Sequence, residues 1–295
     1  MNTIKGEKQI WLHLPMLILT AVSVLPFLLL VISSVSDEGS ILRQGYTFFP
    51  DKFGLEAYRY LWNHSEQLAR AYGVTVFITI VGTASSLLIT AMLAYPMSRQ
   101  DMPWRNATAF FVFFTLLFNG GLTPTYLIYV QYFDIKNTIL ALIVPGLLMS
   151  GFNVLLMRTF FMTTIPPALI EAAQIDGAGE FKIFWRIILP LSMPIVATVG
   201  LIQTIIYWND WFNGMIYVTD SRLFSIQNIL NRMLTDIQFL SESKFSSQLG
   251  EAAASLPSTT VKMAIAVVGV LPIMALYPFF QKYLVKGITI GAVKG

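Results

Sequence analysis

Residues 11–34 read WLHLPMLILTAVSVLPFLLLVISS, a run without one Asp, Glu, Lys or Arg. A helix crosses the hydrocarbon core of a bilayer with roughly 20 predominantly apolar residues. Six stretches of the chain reach that length: 11–34, 72–97, 107–132, 138–161, 191–218 and 260–284. Only 12% of the residues are charged and 55% are hydrophobic, with a mean hydropathy of +0.65. Soluble domains carry about 25% charged residues, so the bilayer is the solvent this composition fits. The expected fold is all-α, an integral membrane domain over 11–295 with six transmembrane helices, preceded by a short segment 1–10. The first stretch is expected to be a retained anchor, because no small-x-small cleavage site follows it closely. Pro15, Pro26, Pro124, Pro145, Pro194 and Pro272 lie within the stretches. Kinked helices are expected, since neighbouring helices can satisfy the backbone groups that proline frees.

Six crossings place both termini on one side. Lys5, Lys8, Arg99, Arg105, Arg158, Lys182, Arg186, Lys282, Lys286 and Lys294 crowd against the helix ends of that side. The positive-inside rule makes it the cytoplasmic one. The net charge of +3 suits basic loops and does not point to nucleic acid. Cysteine is absent, and His13 and His64 are too few and too far apart for a metal cluster, so no thiolate nucleophile or metal site is expected. The outer stretch 219–259 contains RLFSIQNILNRML, with Ile226, Ile229, Leu230, Met233 and Leu234 at helical spacing. It reads as a surface helix, followed by a small, polar and mobile loop, SESKFSSQLGEAAASLPSTT.

Between the fourth and fifth crossings, over about 162–190, the chain keeps an island of charge: TTIPPALIEAAQIDGAGEFKIFWRIILP. Thr164 can cap, Pro166 or Pro167 suits a first turn, and Gly177 can close a helix over 168–176 in a left-handed conformation. A second amphipathic piece, 180–188, is expected to put Phe181, Phe184, Ile187 and Ile188 on one face. Together they make a short helical hairpin along the membrane surface.

EAAQIDGAGEFKIFWRIILP resembles the cytoplasmic loop signature of binding-protein-dependent ABC importer permeases. Glu171, Ala172, Ala173, Gly177, Ile187, Leu189 and Pro190 fall on its pattern, and the Asp176-Gly177-Ala178 variant is similar to the carbohydrate branch that includes the maltose permease subunits. The resemblance covers the chain from about the second crossing onward, and it implies the type I ABC importer permease fold. It makes this loop a coupling helix that docks on a separate ATPase subunit, with small Ala172 and Ala173 permitting close approach, Glu171 pairing with a basic group, and Gly177 permitting the turn. No GxxxxGK[ST] stretch occurs in the chain, so ATP and magnesium would be held by the partner and no cofactor by this chain. The tail, GITIGAVKG within 285–295, resembles the Gly-rich C-terminus of maltose-type permeases.

The fifth crossing carries YWNDWFNGMIYV. Asp210 is an acidic group at membrane depth, and such groups face a cavity or pair within the bundle. Asn209 and Asn213 offer amides, while Tyr207, Trp208, Trp211 and Phe212 offer ring faces, the two features that sugar recognition uses. The same aromatic residues also suit an interfacial belt. A Trp-Asn pair here is similar to a feature of sugar permeases, and NGGLTPTY, with Asn119 and Tyr126, resembles a segment of the subgroup that handles oligosaccharides from complex plant or algal polysaccharides. Gly120, Gly121 and Pro124 should unwind the third helix. Asn153 is a further polar candidate, better suited to an interhelical hydrogen bond than to a ligand.

The resemblance implies a transport subunit of the bacterial cytoplasmic membrane rather than an enzyme. Its implied partners are a second homologous permease subunit, two ATP-binding subunits and an extracytoplasmic sugar-binding protein. The competing class is an ion-gradient-driven secondary sugar transporter, which predicts more buried ionisable groups than Asp210 and an internal inverted repeat.

Overall fold

The computed structural model describes residues 4–63, 65–242 and 259–292. Among them the only strand-like pairing is one antiparallel bridge, Ser36 to Phe53. Part of the expected polar loop (243–258), the end of the tail (293–295) and His64 lie outside the described residues. The segment 11–295, expected as one domain, divides into two compact units: Met1–Leu68 with Leu230–Pro272, and Ala69–Ile229 with Ile273–Gly295.

The first unit holds α1 (Ile4–Ser34), α2 (Glu38–Gln44), α3 (Glu56–Asn63), and parts of α14 (Ile226–Glu242) and α15 (Thr259–Ala292). Met16, Leu17, Ile18 and Leu19 of α1 are more than half exposed, an arrangement that lipid favours and water does not. Ala57 and Leu61 of α3 pack with Val261, Ala264 and Ile265 of α15. Asp37 caps α2 by accepting the Ser40 amide at 3.2 Å. Glu38 does the same for α15: its two oxygens accept the Thr259 and Thr260 amides, each at 2.9 Å, and the Thr260 hydroxyl at 2.7 Å. Helix N-termini leave such amides without partners of their own, and a carboxylate there also meets the positive end of the helix dipole.

The second unit begins within α4 (Ser65–Ser98) and continues through α5 (Arg105–Leu117), α6 (Leu122–Leu127) with a π turn at Ile128–Tyr132, α7 (Leu140–Ile143) and α8 (Gly151–Thr164). Then come α9 (Pro167–Ile175), α10 (Glu180–Ile183) with a π turn at Phe184–Ile188, α11 (Leu189–Leu191), α12 (Met193–Trp208) and α13 (Phe212–Tyr217). The six apolar stretches are thus largely helical, but among the described residues only His13–Ser34 and Ser65–Ser98 are unbroken helices long and apolar enough to cross a membrane. The third stretch bends by 112° between Arg105–Leu117 and Leu122–Tyr132. Gly121 sits there at φ +83°, a left-handed conformation open to glycine at no steric cost. The fourth breaks at Pro145 and Gly146, the latter at φ +70°, and the regular part of the fifth starts at Met193 after an 81° bend.

α14 is the expected surface helix, with Ile226 and Ile229 buried and Leu230 and Met233 packed on the α3–α15 core. Its first amide, Ile226, donates to the Thr75 hydroxyl at 3.0 Å. The side chain of Leu234 lies outside the described residues. α15 runs through Ala292, so the tail is helical to that point.

Candidate functional site

Unwound backbone inside a membrane leaves carbonyls without partners, and each unpaired group costs several kcal/mol. At the break in the fourth stretch, side chains of the fifth stretch donate to three of these carbonyls. Tyr207 donates its hydroxyl to the Ile143 carbonyl at 2.9 Å, Asn213 its amide to Pro145 at 2.9 Å, and Gln203 its amide to Leu147 at 2.6 Å. Gln203 Oε1 in turn accepts the Asn153 amide at 3.2 Å. Gly82 of α4 permits this arrangement by lying flat against the Tyr207 ring, where a Cβ would come within 2.5 Å of ring carbons.

Tyr207, Trp208 and Asn213, expected along the sugar path, are buried in these contacts, and Asn153 makes the interhelical hydrogen bond expected of it. Trp208 packs with its ring 6.4 Å from that of Tyr72. Tyr126 is half-buried and stacks on Tyr217 at 5.7 Å. What remains is the short interruption between α12 and α13. Asn209 is exposed there, donating to the Ile205 carbonyl at 2.9 Å and accepting from the Gln227 amide at 3.3 Å. Asp210 Oδ1 accepts the Asn213 backbone amide at 3.3 Å, while Oδ2 is buried with no hydrogen-bond partner among the described residues. The Trp211 and Phe212 rings are each 42% exposed and meet edge to face. An amide, a carboxylate and two free ring faces can bind a polyhydroxylated ligand. Asn119 is also exposed, but its Oδ1 turns back to accept the Gly121 amide at 2.8 Å and shapes the break in the third stretch.

A residue outside the expected set closes the far side of α13. Asn137, at φ +57°, accepts the amides of Thr219 and Asp220 at 2.6 and 3.1 Å on its side-chain oxygen. The adjacent Asp220 carboxyl lies below its ordinary range because Arg222 donates to it.

The second assembly is the helical hairpin of 167–191. α9 begins with Pro167 at its first turn and Pro166 at the cap position. Thr164, expected to cap α9, instead closes α8. Gly177 at φ +75° ends α9: its amide donates to Gln174 O and the Ala178 amide to Ala173 O, both at 2.9 Å. This is the Schellman arrangement that glycine favours, and Asp176 occupies the C-cap. Ala173 is the buried residue of α9, whereas Glu171, Ala172, Asp176 and Gly177 are exposed and Ile175 is 86% exposed. In the following piece Ile183, Phe184 and Ile188 are buried, Ile187 and Leu189 half-buried, and Pro190 exposed. Phe181, expected on the buried face, is 71% exposed. The π turn at Phe184–Ile188 holds one residue more than an α turn and shifts the phase, so Ile183 takes the inward place.

Four side chains at the base of this hairpin form a polar cluster that spacing along the chain does not announce. Glu180 Oε2 accepts the Tyr95 hydroxyl at 2.7 Å and Arg99 Nη1 at 3.4 Å, and Oε1 accepts the Gln174 amide at 3.0 Å. Arg99 also donates through Nε to Asp101 at 2.8 Å, which holds the Asp101 carboxyl below its ordinary range and keeps Arg99 charged.

The family described as "binding-protein-dependent transport system inner membrane component" matches residues 73–290. Protein LplC of Bacillus subtilis (strain 168) is 38% identical over 275 residues, covering 93% of this chain and 90% of its own length. The polygalacturonan/rhamnogalacturonan transport system permease protein YtcP of the same organism is 34% identical, covering 95% and 96%. Among solved structures, a chain of a bacterial ABC transporter involved in the import of the acidic polysaccharide alginate superposes with a TM-score of 0.79 at 27% identity, covering 96% of this chain and 98% of its own. A second alginate ABC transporter structure, in complex with a pentasaccharide-bound periplasmic protein, shares the fold at a TM-score of 0.55 and 17% identity.

Proposed function

The chain belongs to the inner-membrane components of binding-protein-dependent transport systems, and from that premise we propose that it forms half of an oligosaccharide translocation pathway driven by a separate ATPase. It is a transport permease subunit and not an enzyme. The observation that carries the coupling role is the hairpin itself. A short helix is stopped by Gly177, anchored by Ala173, and turns Glu171, Ala172 and Ile175 outward. An exposed apolar face beside a carboxylate suits a protein cleft with a basic rim, and a rigid helix transmits a rigid-body displacement.

In this reading the hairpin and both termini face the cytoplasm, two ATPase copies dock below, and a second related permease supplies the other half of the pathway. A sugar-binding protein delivers its cargo to the outer loops. ATP binding draws the coupling helices together and opens the cavity outward; hydrolysis returns it. Asn209, Asp210 and Trp211 are the residues assigned to the sugar path, with the amide and carboxylate hydrogen-bonding hydroxyls and the ring stacking on C–H faces. The relatives named for polygalacturonan, rhamnogalacturonan and alginate make oligouronides the first substrates to try.

The test is uptake of oligogalacturonides, alginate oligosaccharides or maltotetraose by proteoliposomes holding this chain with its permease, ATPase and binding-protein partners. Glu171→Ala and Gly177→Pro are expected to uncouple hydrolysis from uptake while the complex still assembles, the latter because proline cannot adopt a positive φ. Uptake that needs no ATPase and follows a proton or sodium gradient would overturn the proposal and make Asp210 the ion site.

A further inference from the structure

We propose that Glu180 is the positioning residue that makes the coupling hairpin and the second crossing move as one body, an inference that rests on the coupling role proposed for 167–191. Glu180 is the first residue of α10, and its side chain is 56% exposed. Even so, both of its oxygens are engaged. Oε1 takes the Gln174 amide from the preceding arm of the hairpin, and Oε2 takes the Tyr95 hydroxyl and the Arg99 guanidinium from the end of the second crossing. One carboxylate therefore joins α9, α10 and the Ser98 end of α4.

The partners on α4 are themselves fixed. The Tyr95 ring is 7% exposed and packs against Phe184 with centroids 5.6 Å apart, so its hydroxyl has one place to be. The Arg99 side chain is 11% exposed and pinned by Asp101. The strongest link is the short phenol-to-carboxylate bond, because hydrogen bonds to an ionised acceptor exceed neutral ones. The 3.4 Å Arg99 contact at a solvated carboxylate adds little.

Space around the cluster explains why it matters. An open cleft of 370 Å³ is lined by Tyr95, Arg99, Glu180 and Phe181, and another of 340 Å³ by Arg99, Glu171 and Gln174. Close-packed side chains transmit displacement, and Ala173, Ile183, Phe184 and Ile188 of the hairpin share one buried cluster with Ala91, Ala94, Tyr95 and Met97 of α4. The polar bridge stands at the exposed rim of that packing, beside the two clefts, where it resists tilting of α9 away from α4 when a docked partner displaces Glu171.

The chain has no cysteine, which permits paired spin labels at Leu169→Cys on α9, outside the face assigned to docking, and Met92→Cys on α4, both exposed positions. In the assembled complex the label-to-label distance should be narrow and equal with and without ATP. Tyr95→Phe, which keeps the ring packing, and Glu180→Ala should broaden it about twofold and make it nucleotide-dependent. The ATP hydrolysed per oligogalacturonide imported should rise at least about threefold in both variants, a readout that loss of stability alone does not move. Asp101→Asn, which leaves the Glu180 bonds intact, should behave as wild type. Unchanged distances and an unchanged ATP-to-sugar ratio in Tyr95→Phe and Glu180→Ala would overturn the inference. Failure of the underlying importer reading shows instead as wild-type uptake that ignores ATP, and the width of the nucleotide-free distance then still decides whether the tie exists.

Discussion

Gly82→Ala should destabilise the protein although alanine is the better helix former. Replacing glycine by alanine in an exposed helix interior gains about 1 kcal/mol. At Gly82 the added methyl would stand 2.5 Å from the Cε1 and Cζ atoms of Tyr207. That ring cannot swing aside, because Tyr207 is fully buried and its hydroxyl holds the Ile143 carbonyl. Overpacking costs typically 1–3 kcal/mol, and a carbonyl that loses its buried donor costs roughly 1–3 kcal/mol more. The net, after subtracting the helix gain, is about 3 kcal/mol, or roughly 6–12 °C in apparent Tm for a chain of this size. Gly73 lies in the same helix with nothing within 4 Å of its would-be Cβ, so Gly73→Ala should raise the Tm by a degree or more. Both are read by thermal unfolding of the purified chain followed by tryptophan fluorescence. If Gly82→Ala raises the Tm as Gly73→Ala does, α4 and α12 are not packed through the Tyr207 ring and the close-approach reasoning fails.

Gln203→Leu keeps the side-chain volume but strips the Leu147 carbonyl and the Asn153 amide of their partner; a loss of about 2 kcal/mol is expected in thermal unfolding. Asn209→Ala, at the exposed interruption, should leave stability within about 0.5 kcal/mol and change only oligosaccharide uptake. Glu38→Ala removes the acceptor of two amides at the start of α15, and the Tm should fall by the equivalent of about 1–2 kcal/mol. The Arg99–Asp101 pair is acid-labile: hydrogen bonding from Arg99 holds the Asp101 carboxyl below its ordinary range, so the pairing is present above the ordinary carboxylate value and is lost as pH falls through the lowered one. Acid titration should release the Arg99 guanidinium from Asp101, read by its proton exchange, and Asp101→Asn should abolish the step.

The sequence disclosed the parts of the fold that obey a local rule. Pro167 and Gly177 bracket α9 as first-turn and left-handed residues should, and Gly121 with Pro124 marks the bend of the third stretch. The lipid-facing run of α1 follows from the absence of charge over residues 11–34. What stayed hidden depends on pairs far apart in the chain. Nothing around Tyr207 and Asn213 says that their partners are the carbonyls of Ile143 and Pro145, so from spacing alone a side chain that serves a broken helix cannot be told from a ligand group. A signal was nevertheless present in Gln203, a lone amide within the apolar run 195–206, since a buried amide at membrane depth needs a partner. Tyr95, Arg99, Gln174 and Glu180 escaped for the same reason, 81 residues separating Arg99 from Glu180. The exposure of Phe181 escaped because a π turn changes the helical period without any proline or glycine to mark it.

The broken helices and the corners of the hairpin are held in different ways, and the difference follows from where the freed backbone groups find partners. At the fourth and fifth stretches the interruptions are locked together by Tyr207, Asn213 and Gln203, so two unwound segments behave as one stiff body. At the hairpin the turn from α8 to α9 passes through Ile165 and Pro166 with a 78° bend, and the return passes through Ser192 with an 81° bend. The Ser192 hydroxyl is buried without a hydrogen-bond partner among the described residues. Among the described residues no side-chain hydrogen bond like those of Gln203 braces these two corners, which are held by packing instead, with Ile165 and Ser192 both buried. In the proposed transport cycle, the stiffness imposed by Tyr207, Asn213 and Gln203 would let Asn209 and Asp210 move together without altering their mutual geometry.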